Sequence, residues 1–264
     1  MTAVATASID FAPTPAQDYL LRIADTCLIH AQRLAEWTGH APILEEDIAL
    51  TNLALDLVGQ ARALLTHVGA QCGLDEDQLA FLREERAFRN ATLVELPGRK
   101  GGRDFADCVL RNFVLSAWLN MLWTRLEASS DAEVAAIAGK AVKESRYHVA
   151  HAADWVVRLG DGTDESARRM RQALERAWPY LAELFEADAV DAAAEASGLG
   201  PSRAALQADW QAIVAPVLAD AQLAAPAGFG AFRSTGSRGV HSEHMGYLLA
   251  EMQVLQRSFP GGAW

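Results

Sequence analysis

The feature that most restricts this chain is the succession of long helical patterns with no segment that reads as a strand. Thr14-Pro15-Ala16-Gln17 combines an N-cap, a proline at the first helical position and a capping-box glutamine, so a helix is expected over 15–37, ended by Gly39. A second pattern runs over 42–71, about 45 Å at 1.5 Å per residue. A shorter one covers 75–88. Leu96-Pro97-Gly98-Arg99-Lys100-Gly101-Gly102-Arg103 is the sharpest break and reads as a long crossover between two helical hairpins. Asp104 caps a pattern to 128, and Ser130-Asp131-Ala132-Glu133 opens another that reaches Leu159. Further helices are expected over 164–187, 201–218 and 240–258. The fold class that follows is all-α: a ferritin-like four-helix bundle with additional C-terminal helices. We expect one domain over 1–264, with 1–14 a disordered tail.

A net charge of −11 argues against nucleic acid or an anionic membrane surface as partner, because both are bound through accumulated Lys and Arg. No run approaches the roughly 20 apolar residues of a membrane span, and 1–14 lacks the regions of a signal peptide. A cytoplasmic protein is expected. Cys27, Cys72 and Cys108 fit neither a disulfide framework nor a zinc motif, and read as small buried apolar residues.

A di-iron bundle needs a carboxylate from each of two helices and a Glu-x-x-His pair from each of the other two. Two places in this chain resemble such a pair with its histidine missing. Asp56 is followed at i+3 by Gly59, and Glu144 by Tyr147. His148 stands one residue late, its ring turned by about 100° from the ligand position. Asn52, Asp56 and Gln60 form one polar stripe, and Lys140, Glu144 and His148 another, with Lys140 one turn from Glu144 as a counter-charge. The third long helix offers Asn112, Ser116 and Asn120 where a lone Glu belongs. Asp25, flanked by Arg22, and Glu36, near a helix end, do not stand out. No catalytic and no metal-binding residue is assigned; Asp56, Gly59, Glu144, Tyr147 and His148 mark a vestigial site, closed by internal polar contacts.

His241-Ser242-Glu243-His244 opens a helix and reads as caps and contacts rather than a metal cluster, with His241, His244 and Lys140 as structural or interface candidates. Arg83, Arg86 and Arg89, followed by Lys100, form the cationic region of an acidic chain. Either it is a solvated face paired with Glu84 and Glu85, or it meets a phosphorylated ligand. No GxSxG, phosphate loop or dinucleotide fingerprint occurs.

Several segments together carry a resemblance: Arg33-Leu34-Ala35-Glu36-Trp37-Thr38-Gly39-His40-Ala41-Pro42, Leu55-Asp56-Leu57-Val58-Gly59-Gln60-Ala61-Arg62, and Arg83-Glu84-Glu85-Arg86-Ala87-Phe88. It continues in Lys140-Ala141-Val142-Lys143-Glu144-Ser145-Arg146-Tyr147-His148, Glu183-Leu184-Phe185, His241-Ser242-Glu243-His244 and Glu251-Met252-Gln253-Val254-Leu255-Gln256-Arg257. The chain resembles the C subunits of bacterial multicomponent phenylacetyl-CoA epoxidases. That resemblance implies a ferritin-like fold and a non-catalytic structural role beside the catalytic A subunit, which holds the di-iron centre and activates dioxygen. It further implies a reductase that uses NADPH, flavin and an iron–sulfur cluster, together with a small bridging subunit. No cofactor is implied for this chain itself. By the same resemblance, Ala87, Phe88, Arg89 and Asn90 lie near phenylacetyl-CoA at the boundary between the two large subunits. Two other readings remain: an autonomous ferritin-like metal oxidase using Asp56, Glu144, His148 and His151, and a helical acyl-CoA module built on 83–103.

Overall fold

In the computed structural model, residues 8–98, 102 and 104–262 are described. Helix α1 (Pro15–Ala35) starts as its sequence requires: the Gln17 N–H donates to Thr14 Oγ1, and the Thr14 N–H donates to Gln17 Oε1. Helix α2 (Leu44–Cys72) has no side-chain cap but places Glu45, Glu46 and Asp47 in its first turn, where the helix dipole favours negative charge. It stops at Gly73, whose φ of 74° suits glycine. After a crossover come α4 (Phe105–Leu126), capped by Asp104, and α5 (Ala132–Gly160), capped by Asp131.

These four helices make the bundle. Helix α1 packs along α2 and α4 along α5, while α2 and α5 run antiparallel. Hydrogen bonds from His151 to Glu46, His148 to Asp56, Gln60 to Glu144 and His67 to Asp131 mark that shared seam. The crossover carries α3 (Glu76–Phe81) and two 3₁₀ turns, Glu85–Ala87 and Thr92–Val94. Helices α6 (Asp164–Ala177) and α8 (Gln207–Asp220) cover α4 and α5, α7 (Ala189–Ser197) covers α1, and α9 (Glu243–Ser258) packs on α3. Trp123, Trp210 and Phe113 are fully buried, and Phe185, Trp210 and Phe229 gather with Trp178 at centroid distances of 5.2 to 6.3 Å. Among the described residues there is no strand, only two isolated bridges. The all-α, ferritin-like architecture with added C-terminal helices is what the sequence pattern calls for.

Several elements differ from expectation. The 75–88 helix ends at Phe81, because Arg83 turns its side chain into the bundle to reach Asp25 and the backbone must follow. The 164–187 helix ends at Ala177; Pro179 has no N–H to continue the ladder, and the chain tightens into a 3₁₀ turn over Trp178–Phe185. Residues 203–206 of the 201–218 pattern are also 3₁₀ before α8 begins. Helix α7 was not expected, although Asp188 and Asp191 form a capping box and Gly198 supplies the left-handed stop at φ 73°. Cys27 and Cys108 are buried, and burial pushes both thiols up; Cys72, expected inside, is exposed. Of the expected 1–14 tail, Ser8 and Ile9 lie against the crossover, where the Ile9 N–H donates to the Leu82 carbonyl at 3.0 Å. Residues 1–7 and the cations Arg99, Lys100 and Arg103 of the expected basic loop fall outside the described residues.

Candidate functional site

The middle of the bundle is where a metal-bearing relative of this architecture would place its ligands, and here it is filled by pairwise contacts. On α5, Glu144 and His148 share the inward face, one turn apart, and His148 is 1% exposed while Tyr147 is 54% exposed. The rotation expected to carry His148 off the ligand position therefore brings it into the seam with α2, where Nε2 lies 3.0 Å from Asp56 Oδ2. Burial lowers the basicity of His148, against the opposing pull of the Asp56 hydrogen bond. Gly59 faces outward: a Cβ there would meet nothing within 4 Å. The two i+3 positions that a di-iron site would use thus both point away from the bundle interior.

Gln60 takes the central position. Its Nε2 donates to Glu144 Oε2 at 3.0 Å, and its Oε1 accepts from Trp123 Nε1 at 3.2 Å and from the Cys27 thiol at 3.7 Å. Lys140 Nζ lies 3.4 Å from the other oxygen of Glu144. Across the bundle, His30 Nε2 lies 3.2 Å from Asn112 Oδ1, which also accepts from Ser116. Burial drives the His30 imidazole down to about 3, and its Nδ1 has no partner. Asn120 donates to the Val142 carbonyl and to Ser145. Asn52, at the head of the α2 stripe, is exposed rather than part of this network.

Among the described residues, no three His, Cys, Asp or Glu side chains gather where they could share a metal ion. A di-iron centre does not fit these donors. Gln60, Asn112 and Ser116 supply neutral atoms where anionic ligands would be needed, and the remaining carboxylates are taken up by other groups, Glu144 by an amide and a lysine and Asp56 by an imidazole.

The residues expected as a cationic surface do something else. Arg83 is fully buried and its guanidinium clasps Asp25, with Nη1 3.0 Å from Oδ2, while stacking 4.3 Å from the Phe88 ring centroid. Asp25, set aside in the sequence because Arg22 is nearby, is the partner of Arg83, and Arg22 pairs instead with Asp188 and Asp191. Arg89 lies 3.1 Å from Asp18, leaving Arg86 exposed. Of the 87–90 segment, Phe88 and Asn90 are 0% exposed, so only Ala87 and Arg89 keep surface.

His241, a structural or interface candidate in the sequence, is inside: its Nδ1 lies 2.7 Å from Glu95 Oε1 and both side chains are fully covered. Burial alone would weaken its basicity, but the Glu95 hydrogen bond and charge outweigh that and raise it. His244 is half-buried in a cleft of about 510 Å³ with Arg33, Tyr247 and Glu251. Glu95, Glu183 and Asp191 were missed in the sequence. They sit 146, 91 and 12 residues from partners such as His241, Thr92 and Arg203, separations that no local pattern carries.

The described fold and the filled seam can be set beside known proteins. Residues 2–264 match the family described as phenylacetic acid catabolic protein. The C subunit of the 1,2-phenylacetyl-CoA epoxidase of Escherichia coli (strain K12) is 47% identical over 247 residues, spanning 93% of this chain and 98% of that protein. With a match over nearly its whole length and a helical bundle that agrees with it, the chain belongs to the phenylacetic acid catabolic protein family.

Proposed function

We propose that this chain is the structural subunit of a cytoplasmic phenylacetyl-CoA epoxidase complex, pairing with and stabilising the catalytic A subunit that holds the di-iron centre. It carries no catalytic centre of its own, and electrons reach the di-iron protein from the NADPH-dependent flavin and iron–sulfur reductase. The assembly is completed by a small bridging subunit. The name of the Escherichia coli relative supports the complex.

The observation that carries the pairing is the outer face of α2. The bundle buries less than half of the most apolar stretch of this helix. Leu44, Ile48 and Leu55 are 72%, 54% and 62% exposed, at helical spacing along one side, with Val58 continuing the line. A face of that kind calls for a protein partner, and a paralogous helical bundle offers a matching one. Contact with phenylacetyl-CoA falls to Ala87 and Arg89, the members of the 87–90 segment that keep surface.

Co-expression with the iron-bearing partner protein, followed by iron analysis and assembly mass, tests the reading. The lone chain should hold no iron and the co-expressed sample should be an iron-bearing hetero-oligomer. Ile48→Asp with Leu55→Asp should abolish co-purification while the helical circular dichroism of the chain is unchanged. Stoichiometric iron in the lone chain, or pairing that survives the double substitution, would sink the proposal.

A further inference from the structure

Away from the α2 face and the mid-bundle seam, α4, α6 and the segment before the crossover's basic loop line a half-open cavity of about 180 Å³. Leu93 and Leu96 are among its apolar lining residues, and Asp107, Arg111, Arg176 and Tyr180 are its polar ones. Arg111 is the unusual member. It is 4% exposed, yet its guanidinium makes one hydrogen bond, from Nη1 to the Leu96 carbonyl at 2.6 Å, and its Nε is buried without a partner. The carboxylates nearest in charge are engaged elsewhere: Asp107 accepts from two nitrogens of Arg176, at 2.8 and 2.7 Å, and Glu36 holds Arg33. Among the described residues, no carboxylate lies within ion-pair distance of Arg111. Burial lowers its affinity for its proton, as expected of a cation without an adjacent anion.

A buried guanidinium is costly unless something anionic accepts from it. Among the described residues, every other deeply buried arginine has such a group: Arg83 has Asp25, Arg22 has Asp188, Arg203 has Asp191 and Arg33 has Glu36. Arg111 faces a cavity instead, with a second guanidinium whose fork is fixed by Asp107 and a phenol that can donate. Two cations and one carboxylate leave one net positive charge there. The volume exceeds what a single water occupies and admits a tetrahedral oxyanion.

We propose that this cavity binds a phosphate group, with Arg111 and Arg176 as charged donors and the Tyr180 hydroxyl as a neutral one. Guanidinium N–H groups suit a phosphate's several oxygens. The group is either free phosphate or the terminal phosphate of a larger molecule whose remainder stays outside.

Isothermal calorimetry on the full chain with inorganic phosphate, adenosine monophosphate and acetate at matched ionic strength tests this. Phosphate should bind at one site per chain, and acetate at least about tenfold more weakly. Adenosine monophosphate binding as tightly as phosphate would assign the site to a larger ligand, and its exclusion would assign it to the free ion; both support a phosphate site. Arg176→Gln should weaken phosphate by about tenfold or more, and Tyr180→Phe by a smaller factor, while Arg168→Gln on the exposed side of α6 changes nothing. Arg111→Gln should abolish binding; if that variant does not fold, the Arg176 and Tyr180 variants still decide. No saturable phosphate binding, equal affinity for acetate, or indifference to Arg176→Gln would overturn the proposal.

Discussion

The carboxylates of this molecule live in two different worlds. Where the crossover meets α1 and the entry to α9, Asp25 and Glu95 are fully buried and saturated. Asp25 takes the fork of Arg83 and the Arg89 N–H at 2.8 Å, and Glu95 accepts from Asn90, His241 and the Ser242 N–H. In the seam between α2 and α5, Asp56 and Glu144 keep 38% and 19% of their side chains exposed, Asp56 bonding one imidazole and Glu144 an amide and a lysine. Residues of the kind that hold iron in a di-iron bundle thus serve here as half-solvated pairs. The charges most strongly desolvated instead tie the irregular crossover to the bundle. Buried ion pairs specify a unique arrangement more surely than they add stability, and a crossover with short helices and 3₁₀ turns needs that specification.

Breaking the buried end should cost the most. Asp25→Ala leaves Arg83 buried without its partner and should lower unfolding free energy by about 3–5 kcal/mol, measured by urea denaturation. A loss under about 1 kcal/mol would mean that the two regions are energetically alike.

Acid distinguishes the histidines next. His30 is held neutral far below its ordinary range, so the unfolded chain binds a proton that the folded chain refuses. Its contribution to stability is present above about pH 6.5 and declines as pH falls toward about 3. Between pH 6.5 and 4.5 this should amount to about 2 kcal/mol, absent in His30→Gln. His148 acts in the same direction. His241 acts oppositely: its raised value means stability fully present below about pH 6.5 and lost as pH rises through the folded value. Parallel denaturation series on His30→Gln and His241→Gln should therefore show pH slopes displaced in opposite senses.

Glu144→Gln should matter less. An amide can still accept from Gln60, and the surrendered partner is a lysine that is 77% exposed, so a change of about 0.5 kcal/mol is expected. Iron content and turnover of the assembled complex should stay nearly as they were. A large fall in turnover with pairing intact would show that the seam acts on the partner's chemistry.

The smallest effect expected is that of Gly59→His, which restores a histidine at the i+3 position. The position looks outward, so neither stability nor iron content should move by a measurable amount. Iron uptake by this variant would mean that α2 can rotate.

Much of the fold was legible because it is written locally. The caps at Thr14 and Asp104 and the apolar periodicity are each set within a turn or two of chain. The absence of a histidine three residues after Asp56 and Glu144 was equally local, as was the proximity of Lys140 to Glu144. The sequence by itself therefore determined an all-helical chain and removed the ligand pairs of a metal centre. Tertiary structure alone decided that Arg83 belongs to Asp25, 58 residues away, that His241 closes on Glu95, and that Tyr147 faces out while His148 faces in. The physical reason is that a helix fixes angles between its own residues but not its rotation about its axis. That rotation is set by how neighbouring helices share their apolar surface, and with it which charges are driven from water and must find partners far along the chain.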